Sequence, residues 1–399
     1  MPDGASGKPV SGGGWLAPMS ADLVYAAKGN KTDEFYRYEC LVYPEWRSVS
    51  SIPLSPSGKL PRKGCRGAGD GERYIYMAKG GNTCEFWRYD VVADTWTQLP
   101  DVPEQPSGKR VRSGTGMVCA RLRDTSNVYL LKGNARDFLR FNTLAGRWEV
   151  LPSAPVVTGF RYDEGSWLVY DDSQHIYCHR AKLHEFWKFD VASGTWETRQ
   201  LQGMPFISRT GKARKSKDGG SATWFFDRIL ALKGNNSQEF WCYNPGTDSW
   251  TERDTVPKVG ITGKKKKVGR GADIIHVGEA DFIYALKGNK TLEFWQYREG
   301  DFDGGGLPKP RLEGTAAPGL VPRTQPPSTS AVTGSGYLRL LGTAQPASSV
   351  TVRDVSGRVV RRSRAGAGRL DLSGLSAGVY FVRVEDRGQT SVQRVELLR

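Results

Sequence analysis

The 399-residue chain lacks most of the residues and segments on which common activities depend. It has only four histidines, and none of its six cysteines lies in a Cys-x-x-Cys pair, which argues against a structural zinc site. No Gly-x-Ser-x-Gly, His-Glu-x-x-His or P-loop sequence occurs. No apolar run approaches the ~20 residues that a membrane helix needs, so we expect no transmembrane segment.

The charge balance is strongly basic, with a formal net charge of +15, which favours anionic partners in principle. No RNP motif, zinc finger or helix-turn-helix pattern accompanies this charge, so we expect no nucleic-acid partner. The first twenty residues have no charged segment followed by an apolar core, and they therefore do not resemble a signal peptide.

Glycine (48 residues), proline (22) and aromatic side chains (11%) are plentiful, which is typical of folded protein built from short strands and tight turns. One phrase recurs six times between residue 6 and about residue 300, and each copy contains one anchoring phenylalanine. The anchors are Phe35, Phe86, Phe138, Phe186, Phe240 and Phe294. Their spacings of 51, 52, 48, 54 and 54 residues predict a repeat architecture.

Each copy has the pattern of four strands. A strand ending in Lys-Gly-Asn is followed by a returning strand, Glu-Phe-Trp-x-Tyr, and then by an outer strand with a further tryptophan. These outer tryptophans are Trp46, Trp96, Trp148, Trp196 and Trp250. A glycine-rich inner strand comes first in each copy, and we expect a Ser/Thr-Gly-Lys turn to open it. Four strands in about 50 residues predict a propeller blade.

The repeat resembles the kelch family, although Lys79-Gly80-Gly81, or Lys-Gly-Asn in other copies, stands where that family has a double glycine. The resemblance covers residues 1–302 and implies an all-β, six-bladed kelch-like β-propeller. It does not imply one activity, because kelch propellers serve many ends.

The sixth copy departs from the pattern, because no outer tryptophan follows Tyr297. Met1 stands just before the first Ser6-Gly7-Lys8 turn. Propellers close by pairing strands from the two ends of the chain, which removes an exposed edge. We therefore expect a closing strand, with an export signal before it, upstream of Met1.

Every copy also has a base before its turn and an acid after it. The pairs are Lys28 and Glu34, Lys79 and Glu85, Lys132 and Asp137, Arg180 and Glu185, Lys233 and Glu239, and Lys287 and Glu293. Side chains on opposite arms of one hairpin can meet. A ring of lysines that binds an anion is one interpretation, and we favour the other, a repeated ion pair that joins the arms.

The Ser/Thr-Gly-Lys turns carry a second set of bases, which we expect to surround the channel mouth on one face. The candidate binding residues are Lys59, Lys63, Lys109, Arg112, Lys212, Lys215, Lys264 and Lys266. A positive ring there would attract acidic glycans or other polyanions. The alternative is a set of solvated loops without a ligand.

The rest of the chain predicts a linker and a second domain. Residues 303–334 are rich in Pro, Gly, Ser and Thr without periodicity, as in a flexible linker. Residues 335–399 alternate as short strands of a small Ig-like β-sandwich. Residues such as Asp354, Gly357, Gly378 and Tyr380 make this tail similar to the C-terminal sorting domain of type IX secretion cargo. The resemblance implies the type IX machinery as a partner, through residues 335–399, and a place outside a Gram-negative cell.

Three of the four histidines, His175, His179 and His184, crowd the fourth copy. A metal could use His179 and His184, but hairpin alternation need not aim them at one point, so we expect no metal site, cofactor or catalytic residue. The favoured function is a secreted or cell-surface binding or structural module, for acidic glycans or other polyanions. The alternatives are an extracellular glycan-processing enzyme (oxidase, lyase or sialidase-like) and a scaffold for a protein partner.

Overall fold

The computed structural model describes residues 1–20, 23–40, 44–54, 56–122, 125–260, 263–277 and 282–298, with shorter stretches between 330 and 398. Every helix or strand in these residues is a β-strand, so the chain is all-β. The chain divides into two compact units, of which one extends to Thr315 and the other contains Ala316–Arg399. No helix among the described residues is long and apolar enough to cross a membrane.

The described residues of the first unit form six antiparallel sheets in chain order, here called sheets 1 to 6. Sheet 1 has β1 (Trp15–Ser20), β2 (Leu23–Ala27), β3 (Phe35–Glu39) and β4 (Glu45–Ser48). Sheet 2 has β5 (Arg66–Gly69), β6 (Tyr74–Ala78), β7 (Phe86–Asp90) and β8 (Thr95–Leu99). Sheet 3 has β9 (Gly116–Leu122), β10 (Thr125–Leu131), β11 (Phe138–Asn142) and β12 (Arg147–Leu151).

The second half of this unit repeats the order. Sheet 4 has β13 (Trp167–Tyr170), β14 (His175–Arg180), β15 (Glu185–Asp190) and β16 (Thr195–Trp196). Sheet 5 has β17 (Ser221–Phe225), β18 (Arg228–Leu232), β19 (Phe240–Asn244) and β20 (Ser249–Glu252). Sheet 6 has only β21 (Asp273–His276), β22 (Phe282–Leu286) and β23 (Phe294–Arg298) in the described residues.

The second unit has a five-stranded sheet in the order β24-β30-β29-β26-β27 and a two-stranded sheet of β25 and β28. The strands are β24 (Ser330–Thr333), β25 (Tyr337–Arg339), β26 (Ser349–Asp354), β27 (Val359–Arg364), β28 (Arg369–Asp371), β29 (Gly378–Asp386) and β30 (Gln389–Leu398). Its core side chains alternate along the strands, as the sequence pattern predicts. They are Val350, Val352, Leu370, Leu372, Tyr380 and Val382.

Neighbouring sheets of the first unit meet in aromatic seams. Trp96 of β8 lies 5.0 Å from Tyr89 in its own sheet and 5.1 Å from Phe35 in the preceding sheet, between ring centroids. The same three-ring cluster recurs around Trp46, Trp148, Trp196 and Trp250. Aromatic pairs at such distances contribute to stability beyond the apolar area that they bury.

The inner strands begin beside a narrow central channel, where six turns each hold one glycine at positive φ. These glycines are Gly13, Gly64, Gly114, Gly165, Gly219 and Gly271. A Cβ on Gly64 would lie 2.3 Å from the carbonyl oxygen of Arg112 in the next copy, so only glycine fits. A Cβ on Gly271 would likewise meet Ser11, and Val10 forms a β-bridge with Thr291. The first and sixth copies are therefore neighbours, as in a propeller.

The repeated base and acid form a buried ion pair in every copy. Lys79 Nζ lies 2.8 Å from Glu85 Oε2, and the two side chains are 1% and 3% exposed. Lys79 Nζ also donates to the carbonyl of Leu54, at 2.8 Å, in the loop that enters the copy. The other five pairs lie within 2.6–2.9 Å. Each pair thus joins a hairpin to the loop before it, which matches the structural interpretation of the motif.

All six cysteines lie in the described part of the chain and are thiols. Cys65 is buried, and its Sγ accepts a hydrogen bond of 3.3 Å from Trp15 Nε1. Burial raises the pKa of Cys65 to about 12. Burial also raises the pKa values of Cys119 and Cys178 well above the ordinary thiol range.

Candidate binding site

The structure divides the eight predicted basic residues between different surroundings. Only Lys63 lines the central channel, while Lys212 and Lys215 line a separate cavity. The backbone N–H groups of Lys59 and Lys109 donate to the serine hydroxyls of their own Ser-Gly-Lys turns. Arg112 donates from Nε to Asn82 Oδ1 at 2.6 Å.

The Ser-Gly-Lys turns do not open the inner strands, contrary to the sequence expectation. The strand after Lys59 begins seven residues later, at Arg66. The reason is a contact between the turn and the buried ion pair: Ser57 N donates to Glu85 Oε1 at 3.2 Å. Ser107 makes the same contact with Asp137. The turns are therefore held beside the hairpins, and several lysines lie away from the channel.

The channel mouth carries both signs of charge. Lys63 Nζ lies 3.0 Å from Glu164, and Arg270 lies 3.6 Å from Glu164 and 2.5 Å from Asp218. Burial raises the pKa of Glu164, and the charge of Asp218 acts in the same direction. The channel cavity is only about 40 Å³, and Arg66 of its lining lies 3.5 Å from Asp273. The mouth is thus a small charge-compensated network rather than a positive ring.

A larger cavity of about 600 Å³ lies beside the loop that enters sheet 5. Its lining is Lys182, Lys212, Ala213, Arg214, Lys215, Lys217 and Asn235. Five of these seven side chains are cationic, and none is acidic. Lys182 also lies 3.0 Å from Asp163, so one of the five positive charges is partly compensated.

This cavity exists because the loop before sheet 5 is longer than its counterparts. Trp196 and Ser221 are 25 residues apart, whereas Trp96 and Gly116 are 20 apart. The added length forms a small hairpin, in which Ile207 bridges Ala213 and Lys212 lies near the tip. Lys233, which is fully buried, anchors the hairpin by donating to the carbonyls of Pro205 and Phe206 at 2.8 and 3.0 Å. The cationic groups are therefore mounted on a fixed backbone.

The positive field extends toward the loop that enters sheet 6. Burial, followed by the charges of Arg214, Lys258 and Lys212, lowers the pKa of Lys267. Lys264 and Lys266 belong to the same loop, where Lys266 N donates to the carbonyl of Lys258 at 3.0 Å. Four of the eight predicted residues thus lie in two neighbouring loops. We call the cavity lining together with residues 264–267 the basic cleft.

Sequence reasoning missed Lys182 as a member of this cleft. Lys182 follows Arg180-Ala181 at a turn position with positive φ, where the first and fifth copies have Asn30 and Asn235. The departure from the repeat was visible in the sequence. The sequence did not show that Lys182 lies near Lys215 and Lys217, because those two residues belong to the next copy.

The histidines of the fourth copy do not converge. His179 is fully buried, and its Nε2 lies 2.7 Å from Ser216 Oγ. His184 is exposed, with its ring 3.9 Å from the ring of Phe206. Within the described residues, no group of three or more His, Cys, Asp or Glu side chains could hold a metal ion.

The fold and the tail together define a secreted, all-β protein with a propeller-like body. Residues 334–396 match the family model described as "Secretion system C-terminal sorting domain". This confirms the predicted type IX sorting domain and indicates secretion, to the exterior or the cell surface. The match covers the tail alone.

Two solved structures resemble the body. One is YjhT, with a TM-score of 0.51 and 11% identity, over 74% of this chain and 97% of that chain. The other is a structural genomics protein of unknown function from Bacteroides thetaiotaomicron VPI-5482, with a TM-score of 0.51 and 14% identity, over 72% of this chain and 69% of that chain. At these identities the likeness concerns the fold alone. No curated protein sequence matches the chain.

Proposed function

We propose that the protein is a secreted binding module, a six-bladed kelch-like propeller whose basic cleft binds acidic glycans or similar polyanions. The domain layout that goes with this proposal is a propeller over residues 1–302, a linker over 303–334 and a sorting β-sandwich over 335–399. The observation that carries the proposal is a cavity of about 600 Å³ with five cationic side chains and no acidic one in its lining.

The arrangement suits a ligand with several closely spaced negative charges. Burial is the main cause of the lowered pKa of Lys267, and the nearby charges of Arg214 and Lys212 act in the same direction. A polyanion would relieve this repulsion between neighbouring cations. The anchored hairpin reduces the ordering cost on binding, because its backbone is already held by Lys233. The propeller supplies the rigid scaffold on which these loops are mounted.

The test is a glycan array with sulfated, carboxylated and neutral chains at low and high salt. Binding to the charged chains should weaken strongly with salt, since the screening length falls from about 10 Å at 0.1 M to about 3 Å at 1 M. A Lys212→Gln/Lys215→Gln variant should bind about twofold to thirtyfold more weakly, because each exposed ionic contact contributes roughly 0.2–1 kcal/mol. The matched control is Lys59→Gln/Lys109→Gln, which removes two lysines from turns outside the cavity.

The proposal would be contradicted if the cleft variant and the control variant lost the same amount of glycan affinity, or if glycan binding did not respond to salt. The control isolates the cleft from the general charge of the protein, because both variants change the net charge by the same amount.

A glycan-processing enzyme remains the second candidate, because the channel mouth holds charged side chains that do not repeat. Glu164 and Asp218 lie beside Lys63 and Arg270, and burial raises the pKa of Glu164. Two carboxyl groups held in different environments are a common arrangement for acid–base chemistry. Incubating the glycans bound on the array with wild type and Glu164→Gln separates the two candidates: turnover lost in the variant supports the enzyme, and binding without turnover supports the module.

A further inference from the structure

A second large cavity lies between sheets 3 and 4, at the opposite end of the strands from the basic cleft. Its volume is about 440 Å³, within the range of about 300–1,000 Å³ that is usual for small-molecule sites. Gln174 of its lining directly precedes β14, whereas Lys182 of the basic cleft follows the end of that strand. A strand of six residues spans about 20 Å, so the two cavities are separate sites.

The cavity forms where sheet 3 departs from the other copies. Asn127, which is 4% exposed, lies five residues before the ion-pair base Lys132. At this position four other copies have larger side chains, Tyr74, His175, Arg228 and Phe282. Asn127 alternates along β10 with Tyr129, whose ring lies 6.1 Å from that of Phe189 in sheet 4, so both side chains face the same seam. The short amide of Asn127 thus leaves room between the two sheets.

Two amide side chains of the lining present hydrogen-bond acceptors. Asn127 Nδ2 donates to the carbonyl of Thr125 at 3.1 Å, and Gln174 Nε2 donates to the carboxylate of Asp190. Carbonyl and carboxylate oxygens only accept, so these partners fix which half of each amide they hold. The oxygens Asn127 Oδ1 and Gln174 Oε1 are therefore left for a ligand. We call the cavity lined by Asn127, Asn142 and Gln174 the amide pocket.

The third amide presents a donor. Asn142 Oδ1 accepts from the backbone N–H of Ala145 at 2.9 Å, and this partner leaves Asn142 Nδ2 for a ligand. Each of the three amides thus offers one half only. A peptide group is recognised by an amide side chain through both halves at once, whereas a hydroxyl group donates and accepts through the same oxygen. Single amide halves of both kinds therefore suit a ligand with several hydroxyl groups.

The charges of the lining do not favour an anion. Arg140 Nε and Nη2 donate to Glu149 Oε2 at 2.8 and 2.5 Å. Arg121 Nη2 lies 3.1 Å from Glu72 Oε1. Both arginines of the amide pocket are thus compensated by a carboxylate. The pocket lacks the uncompensated positive charge of the basic cleft, and its amide oxygens would repel a carboxylate or sulfate group.

We propose that the amide pocket binds a neutral carbohydrate. The hydroxyl groups of the sugar would donate to Asn127 Oδ1 and Gln174 Oε1 and accept from Asn142 Nδ2. Leu144, which is 85% exposed, and the adjacent Val191 supply an apolar surface for the C–H face of a sugar ring. The protein would then hold a neutral glycan at one end of its strands, independently of the acidic ligand proposed for the other end.

The test is calorimetry of the full chain with neutral oligosaccharides of glucose, mannose, galactose and xylose, and with their sulfated or carboxylated counterparts. At least one neutral oligosaccharide should bind with one site per chain. Its affinity should change by less than about twofold between 0.1 and 1 M salt, because no charge pair is screened. This salt response separates the amide pocket from the basic cleft, so either proposal can fail without the other.

Two variants locate the site, and the other copies indicate that both should fold. Asn127→Tyr introduces the residue that sheet 2 has as Tyr74, and it should abolish binding by filling the pocket. Asn142→Asp introduces the residue that sheets 2 and 4 have as Asp90 and Asp190, whose carboxylates accept the same turn hydrogen bond. It replaces the donor by a third acceptor, and it should weaken binding by about threefold to tenfold, the effect of one hydrogen bond.

The matched control is Asn244→Asp, at the same turn position of sheet 5, where Asn244 Oδ1 accepts from Gly246 N at 2.8 Å. It makes the same charge change outside the pocket and should leave the affinity unchanged. Urea unfolding of each variant confirms that it is folded.

Four results would overturn the inference. They are no neutral binder at millimolar concentration, undiminished binding by a folded Asn127→Tyr variant, equal losses in Asn142→Asp and Asn244→Asp, and binding of the acidic counterparts alone.

Discussion

The buried histidine of sheet 4 should lower the stability of the propeller in acid, and replacing this residue should remove that effect. His179 is fully buried, stacks on Trp167 at 5.0 Å and has its Nε2 2.7 Å from Ser216 Oγ. Burial, with smaller contributions from His184 and Lys233, lowers the pKa of His179 to about 3. In the unfolded chain a histidine titrates near 6.5.

The direction of the effect follows from proton binding. Between about pH 6.5 and about pH 3 the unfolded chain binds a proton at this site and the folded chain does not, so the folded state is progressively disfavoured as the pH falls. At about pH 4.5 the two units below 6.5 correspond to about 3 kcal/mol, at roughly 1.4 kcal/mol per unit. The stability of the folded state is therefore unaffected by His179 above about pH 6.5, and it falls progressively as the pH decreases toward 3.

The other copies suggest the variant to measure. Leu131, Leu232 and Leu286 stand at the position of His179, and Val111 and Val268 stand at the position of Ser216. The double variant, His179→Leu with Ser216→Val, should therefore pack without a buried polar group.

The assay is urea unfolding, followed by tryptophan fluorescence, at about pH 7 and about pH 4.5. The loss of unfolding free energy between these pH values should be about 3 kcal/mol smaller in the double variant than in wild type. Other acid-sensitive groups cancel in this difference. An identical loss in both proteins would refute the reasoning.

The remaining predictions concern stability near neutral pH, measured by the same unfolding assay. Glu85→Gln should lower the free energy of unfolding by about 3–5 kcal/mol, because it leaves the Lys79 ammonium buried without its carboxylate. Glu72→Gln, at an exposed pair with Arg121, should lower it by less than about 1 kcal/mol. Similar losses in the two variants would contradict the role of burial. Trp46→Phe should be less destabilising than Trp96→Phe by about 1 kcal/mol, because within the described part of the chain only the Trp96 indole has a hydrogen-bond partner. The reverse order of the two costs would contradict this reasoning. Gly64→Ala should cost several kcal/mol, because its Cβ would meet the backbone of Arg112; a neutral effect would show that the ring can widen.

Features set by local spacing were predictable from the sequence, and features set by contacts between copies were not. The pairing of Lys79 with Glu85 follows from a base and an acid on opposite arms of one hairpin, which the sequence shows directly. The alternation of Val350 and Val352 likewise predicted the core of the second unit. Local spacing sets these contacts, so the sequence contains the information.

The basic cleft depends instead on contacts between copies. Sequence reasoning assigned the lysine turns to the starts of inner strands, but the Ser57 contact with Glu85 fixes those turns elsewhere. The hairpin that presents Lys212 needs the anchoring contact of Lys233 with Phe206, 27 positions away. His179 and Ser216 meet across 37 positions, and nothing in the sequence around either residue indicates the other.

The buried thiols affect how the protein ages once it is exported. Thiolate, rather than thiol, reacts with oxidants and with other disulfides, so a pKa of about 12 at Cys65 leaves almost no reactive form at neutral pH. Cys178, which is fully buried, is protected in the same way. Cys84 is only half-buried, and burial raises its pKa more modestly, so slow oxidation in the medium should begin there. Cys65 and Cys178 can thus remain reduced in an oxidising environment without enzymes to repair them.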